Sequence, residues 1–235
     1  MHCENPAKWL SSHLSATGFL IAACVAACAV AATDADKTAA PQALFNGEDL
    51  ERWVVDGDKT TKDAEQTLPV WTARDGMIHC AGGGFGFLRF DQKFTDFTLS
   101  LEYRLQPGTN SGVGIRTVEY KDGKKPTRPS RAAYEIQLVD DGVDEPTSHS
   151  TGAIYLHSAA SAAPAKPAGE WNKLVITCIG PRIRVKLNGE VIQDYDQRKS
   201  SKTKKKPLKG YISLQNHGGE VDYRNILLKD ESHSD

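Results

Sequence analysis

The chain predicts an all-β fold, two antiparallel sheets packed face to face, and three observations carry that prediction. Short runs alternate apolar and polar residues with a period of two, as strands do when one face is buried. In one such run Leu99, Leu101, Tyr103 and Leu105 stand on one side, and Ser100, Glu102 and Arg104 on the other. Turn pairs of the Asn-Gly and Asp-Gly type separate the runs, as hairpins require. Helical periodicity is almost absent beyond the first thirty residues or so. The 235 residues are 25% charged and 8% aromatic with a formal net charge of −1, a composition that suits one soluble β domain of about 200 residues. So even a balance gives no reason to expect nucleic acid, which needs a concentrated basic surface.

Residues 1–32 read as a targeting segment. Lys8 precedes an apolar run from Gly18 to Ala32 that is short for a bilayer span and ends in Ala29-Val30-Ala31, the small-x-small pattern of a secretory cleavage site. Export is the expectation, to the periplasm or cell envelope or to the medium. Cys24 and Cys28 each follow two alanines and a branched apolar residue, similar to a bacterial lipobox. A lipidated cysteine there would be the chain's route to a membrane. Residues 33–42 form a polar linker, and 43–230 the domain. Cys80 and Cys178 are expected as buried free thiols, because pairing depends on a Cα separation that sequence does not give. No CxxC or HExxH spacing marks a zinc site.

Along the domain, Leu44 to Trp53 opens with a turn at Asn46-Gly47 and offers Phe45, Leu50 and Trp53 as core anchors. Lys59 to Gln66 is polar and expected to be a loop. Val70–Ala73 and Met77–Cys80 flank Asp75-Gly76, a hairpin signal. Gly82 to Gly86 lacks the lysine and helix of a phosphate loop and reads as a flexible turn. Leu99–Leu105 and Val113–Arg116, joined through Pro107, Gly108 and Asn110, read as neighbouring strands, which would put Glu102, Arg104 and Arg116 on one surface. Gly112 and Gly114 point to a bend, a bulge or a close approach. Tyr120 to Ala132 is a basic loop. In Tyr134–Asp140 the residues Tyr134, Ile136 and Leu138 face inward, and Glu135 and Gln137 outward. Gly152–His157 is expected to repeat this, with Tyr155 and His157 outward. Leu174–Ile179 and Ile183–Leu187 turn Lys and Arg to water, with Gly180-Pro181 and Asn188-Gly189 as turns. Lys199–Lys206 reads as a solvated cationic loop. Gly210–Gly218 sets Ser213 and Gln215 outward, and Val221–Leu228 closes the domain. Trp53, Trp71 and Trp171 are assigned to the core.

With these strands side by side, one sheet would gather Glu102, Arg104, Arg116, Glu135, Gln137, Tyr155, His157 and Gln215, with His217 at its rim. The segments LFNGEDLERW, TDFTLSLEYRLQPGTNSGVGIR, YEIQLVD, TGAIY, GEWNKLVITCIG, VKLNGE and YISLQNHGGEVDYRNILLK resemble, in order, the 3-keto-disaccharide hydrolase family over about Ala43 to Lys229. The resemblance implies a concanavalin A-like jelly-roll sandwich whose concave sheet holds carbohydrate, an exported location, and action on glycosides oxidised at C3. It carries Glu102, Asn110, Ser111, Arg116, Glu135, Gln137, Asp140, Tyr155, Gln215 and His217 as site residues without saying which performs catalysis. Lys121–Arg131 and Lys199–Lys206 become variable loops. It fixes no cofactor; a divalent metal is the one candidate.

A 3-keto group acidifies the hydrogen at C2, which lies β to the anomeric leaving group. A carboxylate can remove that proton, the C1 substituent can leave, and hydration of the enone completes net hydrolysis. Glu135 is the first candidate base and Glu102 the second. Arg116 is the candidate oxyanion stabiliser, and His217 or Tyr155 the acid. Two other readings stay open: a direct glycosidase using Glu102 and Glu135 as its two carboxylates, and a lectin-like binding module, for which Tyr155 alone is placed to stack on sugar. Ordinary readings compete with each residue. Glu102–Arg104 and Glu135–Arg116 are equally plausible as sheet ion pairs, and Asp140, Asp141, Asp144 and Glu145 as a solvated acidic loop or a set of calcium ligands.

Overall fold

The computed structural model describes residues 40–232; the segment expected as a targeting leader and most of the expected linker lie outside the described residues. Strands are numbered in chain order. The larger antiparallel sheet runs β13 (Glu190–Asp196), β12 (Arg182–Leu187), β11 (Asn172–Ile179), β8 (Phe97–Leu105), β15 (Val221–Asp230), β6 (Met77–Cys80) and β5 (Trp71–Arg74), with β1 (Gln42–Ala43) beside β15. The smaller runs β10 (Tyr134–Val139), β9 (Asn110–Thr117), β14 (Gly210–Asn216), β7 (Gly86–Phe94) and β2 (Trp53–Gly57). These are the two packed sheets that the alternation predicts.

The core lies between them. In β8, Phe97, Leu99, Leu101, Tyr103 and Leu105 are buried while the residues between are half-exposed. They meet Val113, Ile115, Ile136, Leu88 and Leu214 of the smaller sheet, all fully buried, and each such side chain contributes roughly 1.5–3 kcal/mol. Asp75-Gly76 and Asn188-Gly189 take positive φ at both positions (51° and 73°, 50° and 91°), as a two-residue hairpin turn demands. Cys80 and Cys178 are buried free thiols.

Several expectations fail here. β8 and β9 are not neighbours: β8 pairs with β11 and β15, β9 with β10 and β14. The turn between them crosses from one sheet to the other, so their outward faces point away from each other. Lys59–Gln66 belongs to a hairpin of β3 (Thr60–Asp63) and β4 (Gln66–Pro69). Gly152–His157 is no strand; it makes single bridges through Ile154 and turns at Leu156, whose φ is +67°. Trp171 leaves the core and lies on the outside of the larger sheet, with the guanidinium groups of Arg104 and Arg224 at 4.7 and 3.9 Å from its ring. Trp53 and Trp71 are buried as expected.

One feature positions the site. The smaller sheet is buried on both faces: Tyr134, Glu135, Ile136, Gln137 and Leu138 are all buried. Its outer face is covered by residues 118–133, which include a 3-10 turn (Lys125–Thr127) and a short helix, α1 (Pro129–Ala132). A Cβ on Gly114 would stand 3.1 Å from Pro129 Cβ, so the glycine lets this turn sit on β9.

Candidate active site on the smaller sheet

Register places the outward residues of the smaller sheet in rows. Glu135 of β10 faces Gly114 of β9, which faces Ser213 of β14 and then Arg89 of β7. In the next row Gln137 faces Gly112, with Gln215 and Phe87 beyond. The Glu135 side chain crosses between rows. It lies over Gly112, where a Cβ would meet its Cγ at 2.9 Å and Oε1 at 3.0 Å, and its Oε1 accepts from Gln215 Nε2 at 3.0 Å. The close approach foreseen for Gly112 is this one.

Glu135 is 3% exposed, and burial pushes its carboxyl up from 4.5 to about 7. Hydrogen bonds from Gln215 and Ser130 and the charge of Arg128 oppose that rise. Around it, Gln215 Oε1, Gln137 Oε1, Ser213 Oγ and Arg128 Nε are buried without a protein partner. Buried polar atoms are ordinarily satisfied, so these four on one face are hydrogen-bonding capacity that the protein's own groups leave unused. Gln137 uses its amide nitrogen on Asn110 Oδ1 at 3.1 Å, which leaves its oxygen facing the site.

Aromatic rings flank the polar floor. Phe85 meets Phe87, Tyr120 and His217 edge-on, with centroids 5.4, 5.6 and 5.2 Å away, and the Arg128 guanidinium stands 4.1 Å over its ring. Desolvation and Arg128 hold His217 below its ordinary value.

The structure thus brings together Glu135, Gln137, Asn110, Gln215 and His217, and separates the rest. Glu102 stands outward on the larger sheet, where it accepts from Arg224 Nε at 2.7 Å and Asn225 Nδ2 at 3.2 Å. Arg104 holds Asp222 on that same outer face. Arg116 has φ +54° at a bulge of β9 against β14. The bulge swings its side chain to the end of the sandwich, fully buried, where it donates to the carbonyls of Thr95 and Gly180 and to Asp96. Ser111 faces the core and donates to the Gln215 carbonyl at 2.6 Å beside Tyr223. Asp140 Oδ2 latches the Gly108 N–H at 2.9 Å. The ring of Tyr155 turns to His149, and only its backbone N–H reaches the Glu135 carbonyl. His157 meets the Ser130 backbone, and burial together with Lys206 and Lys202 brings it down to about 4. Among the described residues no three His, Cys, Asp or Glu side chains converge as metal ligands, the acidic loop included. Sequence reasoning missed Arg128, Ser130, Phe85 and Ser213 as site residues. Ser213 was legible as an outward neighbour of Gln215; the others come from loops, where alternation says nothing.

A family model of the 3-keto-alpha-glucoside-1,2-lyase-like domain matches residues 40–229. A 3-keto-disaccharide hydrolase of Bacteroides thetaiotaomicron is 29% identical over 228 residues, with 79% of this chain and 77% of that one covered. Crystal structures of two candidate glycosyl hydrolases from Parabacteroides distasonis superpose with TM-scores of 0.66 and 0.65, at 26% and 22% identity. They cover 82% and 80% of this chain and are themselves covered to 100% and 92%.

Proposed function

The chain belongs to the 3-keto-alpha-glucoside-1,2-lyase-like family, and on that premise we propose that it cleaves 3-keto-glycosides, with Glu135 as the base that takes the proton from C2. Family and relative support a carbohydrate-active hydrolase of the 3-keto-disaccharide hydrolase type. The residue roles rest on one observation: a buried carboxyl poised at about 7 amid partnerless polar atoms.

A base titrating near the working pH is half available and still strong enough to pull an acidified C–H, and such catalysis is worth about 10²–10⁴-fold. The electron pair of the C2–H bond moves toward the C3 carbonyl, and the resulting enolate needs fixed donors. Arg128 replaces Arg116 in that role, since its guanidinium is near Glu135 and its Nε is uncommitted. As the C3 carbonyl re-forms, the C1=C2 bond forms and the C1–O bond breaks. Its electron pair leaves on the departing oxygen, which takes up the proton removed from C2. Water then adds across C1=C2 of the enone to complete hydrolysis. Gln137 Oε1, Gln215 Oε1 and Ser213 Oγ fit sugar hydroxyls, while Phe85 offers an apolar flank for the ring. His217, held below its ordinary value and edge-on to Phe85, suits a hydrogen-bonding role. A direct glycosidase built on Glu102 and Glu135 finds no support, because those carboxylates stand on opposite outer faces.

Export through residues 1–32, with lipidation at Cys24 or Cys28, belongs to the same proposal; mass spectrometry of the mature N-terminus tests it. The enzyme reading is tested by incubating the purified protein with 3-keto-trehalose and with trehalose, with and without chelator, and analysing products. Cleavage confined to the oxidised sugar is expected. Equal cleavage of trehalose, or binding of either sugar without turnover, overturns it in favour of a plain glycosidase or a binding module.

A further inference from the structure

Among the cations of Lys199–Lys206, Lys206 is set apart by its surroundings. Its ammonium donates to the carbonyls of Ser130 at 3.5 Å, Arg131 at 2.8 Å and Ala133. Its three N–H groups thus meet oxygens at the end of α1, where a helix leaves carbonyls without internal partners. The base of the side chain is held as well. Gln197 Nε2 donates to the Lys206 carbonyl at 3.1 Å, Thr203 Oγ1 to the Gln197 carbonyl at 2.8 Å, and Tyr134 Oη to Gln197 Oε1 at 3.0 Å. The ammonium lies 5.3 Å from the Tyr134 ring, and Tyr134 immediately precedes Glu135.

The carbonyls that Lys206 grips belong to the turn that brings Ser130 and Arg128 to the Glu135 carboxyl. We propose that Lys206 is a positioning residue: it fixes the Arg128–Ala133 turn on the smaller sheet, so that Ser130 and Arg128 keep their places at Glu135. The inference rests on the catalytic reading of Glu135 given above. Charged and titratable groups face this turn and Glu135 from each packed element: Arg128 and Arg131 from the turn itself, Tyr134 from β10 beside Glu135, Tyr223 from β15, His217 from the segment after β14, His157 from the bridge segment, and Lys202 and Lys206 from the basic loop.

Without its anchor the turn slips along the sheet while still covering it, so Glu135 keeps its burial and its bond from Gln215 and loses Ser130 and Arg128, two of the three groups that favour its ionised form. The test uses the full chain with Lys206→Met, Lys206→Gln, Lys206→Arg, Ser130→Ala and the Lys206→Met/Ser130→Ala pair. Two readouts are taken: the pH profile of kcat/KM on a 3-keto-glucoside, and the Glu135 midpoint from carbon-13 NMR of the side-chain carboxyl. Lys206→Met is expected to move both midpoints up by about one pH unit, a tenfold gain in proton affinity. Lys206→Gln should move them the same way and Lys206→Arg should restore them. Ser130→Ala should reproduce part of the shift, with the pair adding nothing beyond Lys206→Met. A folded Lys206→Met or Lys206→Gln with the wild-type midpoint overturns the proposal, as does an additive pair. Should Lys206→Met not fold, Lys206→Gln and its own pair with Ser130→Ala decide in the same way. If the wild-type chain turns over no 3-keto substrate, the catalytic reading fails, and the NMR midpoint still decides whether Lys206 positions the turn.

Discussion

Replacing Glu135 by Gln should abolish turnover and at the same time stabilise the protein, by an amount that depends on pH. The carboxyl is buried and its proton affinity is raised from 4.5 to about 7. Below pH 4.5 it is protonated in the folded and unfolded chain alike, and burial of the charge costs nothing. As pH rises the unfolded chain ionises first, while the folded site still holds its proton, so folding stability falls. Above about pH 7 both states are ionised and the loss is complete. At about 1.4 kcal/mol per pH unit, that interval corresponds to roughly 3 kcal/mol. Gln keeps the shape and carries no charge, so urea denaturation should find wild type and Glu135→Gln close together at pH 4. At pH 8 the variant should be more stable by about 2–3 kcal/mol, with the same m value. A variant no more stable than wild type at pH 8, or a difference that ignores pH, would refute the claim that Glu135 bears a burial cost. Retained turnover in the folded variant would remove it from the mechanism.

Arg116→Met should destabilise the domain by about 3–5 kcal/mol, because it strips donors from the Thr95 and Gly180 carbonyls and from Asp96; turnover per folded molecule should be unchanged in assays run well below the melting point. Gly112→Ala puts a methyl group 2.9 Å from Glu135 Cγ, and kinetics should show turnover down by about 10²-fold with little change in melting temperature. Glu102→Gln breaks a half-exposed pair with Arg224; denaturation should register no more than about 1 kcal/mol, and kcat/KM on the 3-keto substrate should be that of wild type.

How far the sequence carries is decided by what alternation can report. A period of two tells which residues share a face of a strand; the buried-against-exposed reading holds for Leu99–Leu105, whereas Tyr134–Leu138 and Ile212–Leu214 are buried on both faces. It does not tell which sheet a strand joins. In a sandwich two strands with identical patterns can have outward faces on opposite sides of the molecule. Glu102 and Glu135 carry the same signature, an acid between buried apolar neighbours, and only pairing separates them. The short turn after Leu105 looked like a hairpin because its Pro, Gly and Asn suit any reversal, including one that passes between sheets. Arg116 shows a further limit. A single bulge changes the parity of the strand, and every inference from alternation beyond that point reverses.

The residues that the sequence missed follow a rule of their own. The floor of the site is made by strands, so Glu135, Gln137 and Gln215 were legible from period alone. What distinguishes this floor from an ordinary solvated sheet is its cover, and the cover is a basic, Pro-containing loop with no periodicity to read. Burial raises Glu135, and that loop contributes Ser130 and Arg128, which moderate the rise. Gly114 is where the two meet, since its missing side chain is what admits Pro129. Glycine in the middle of a central strand, beside a row of outward polar residues, is therefore the signal available from sequence that a second layer of chain lies against that face. It indicates where a carboxylate on the adjoining strand will be taken out of water, and thus which of several look-alike acids can work as a base near neutral pH.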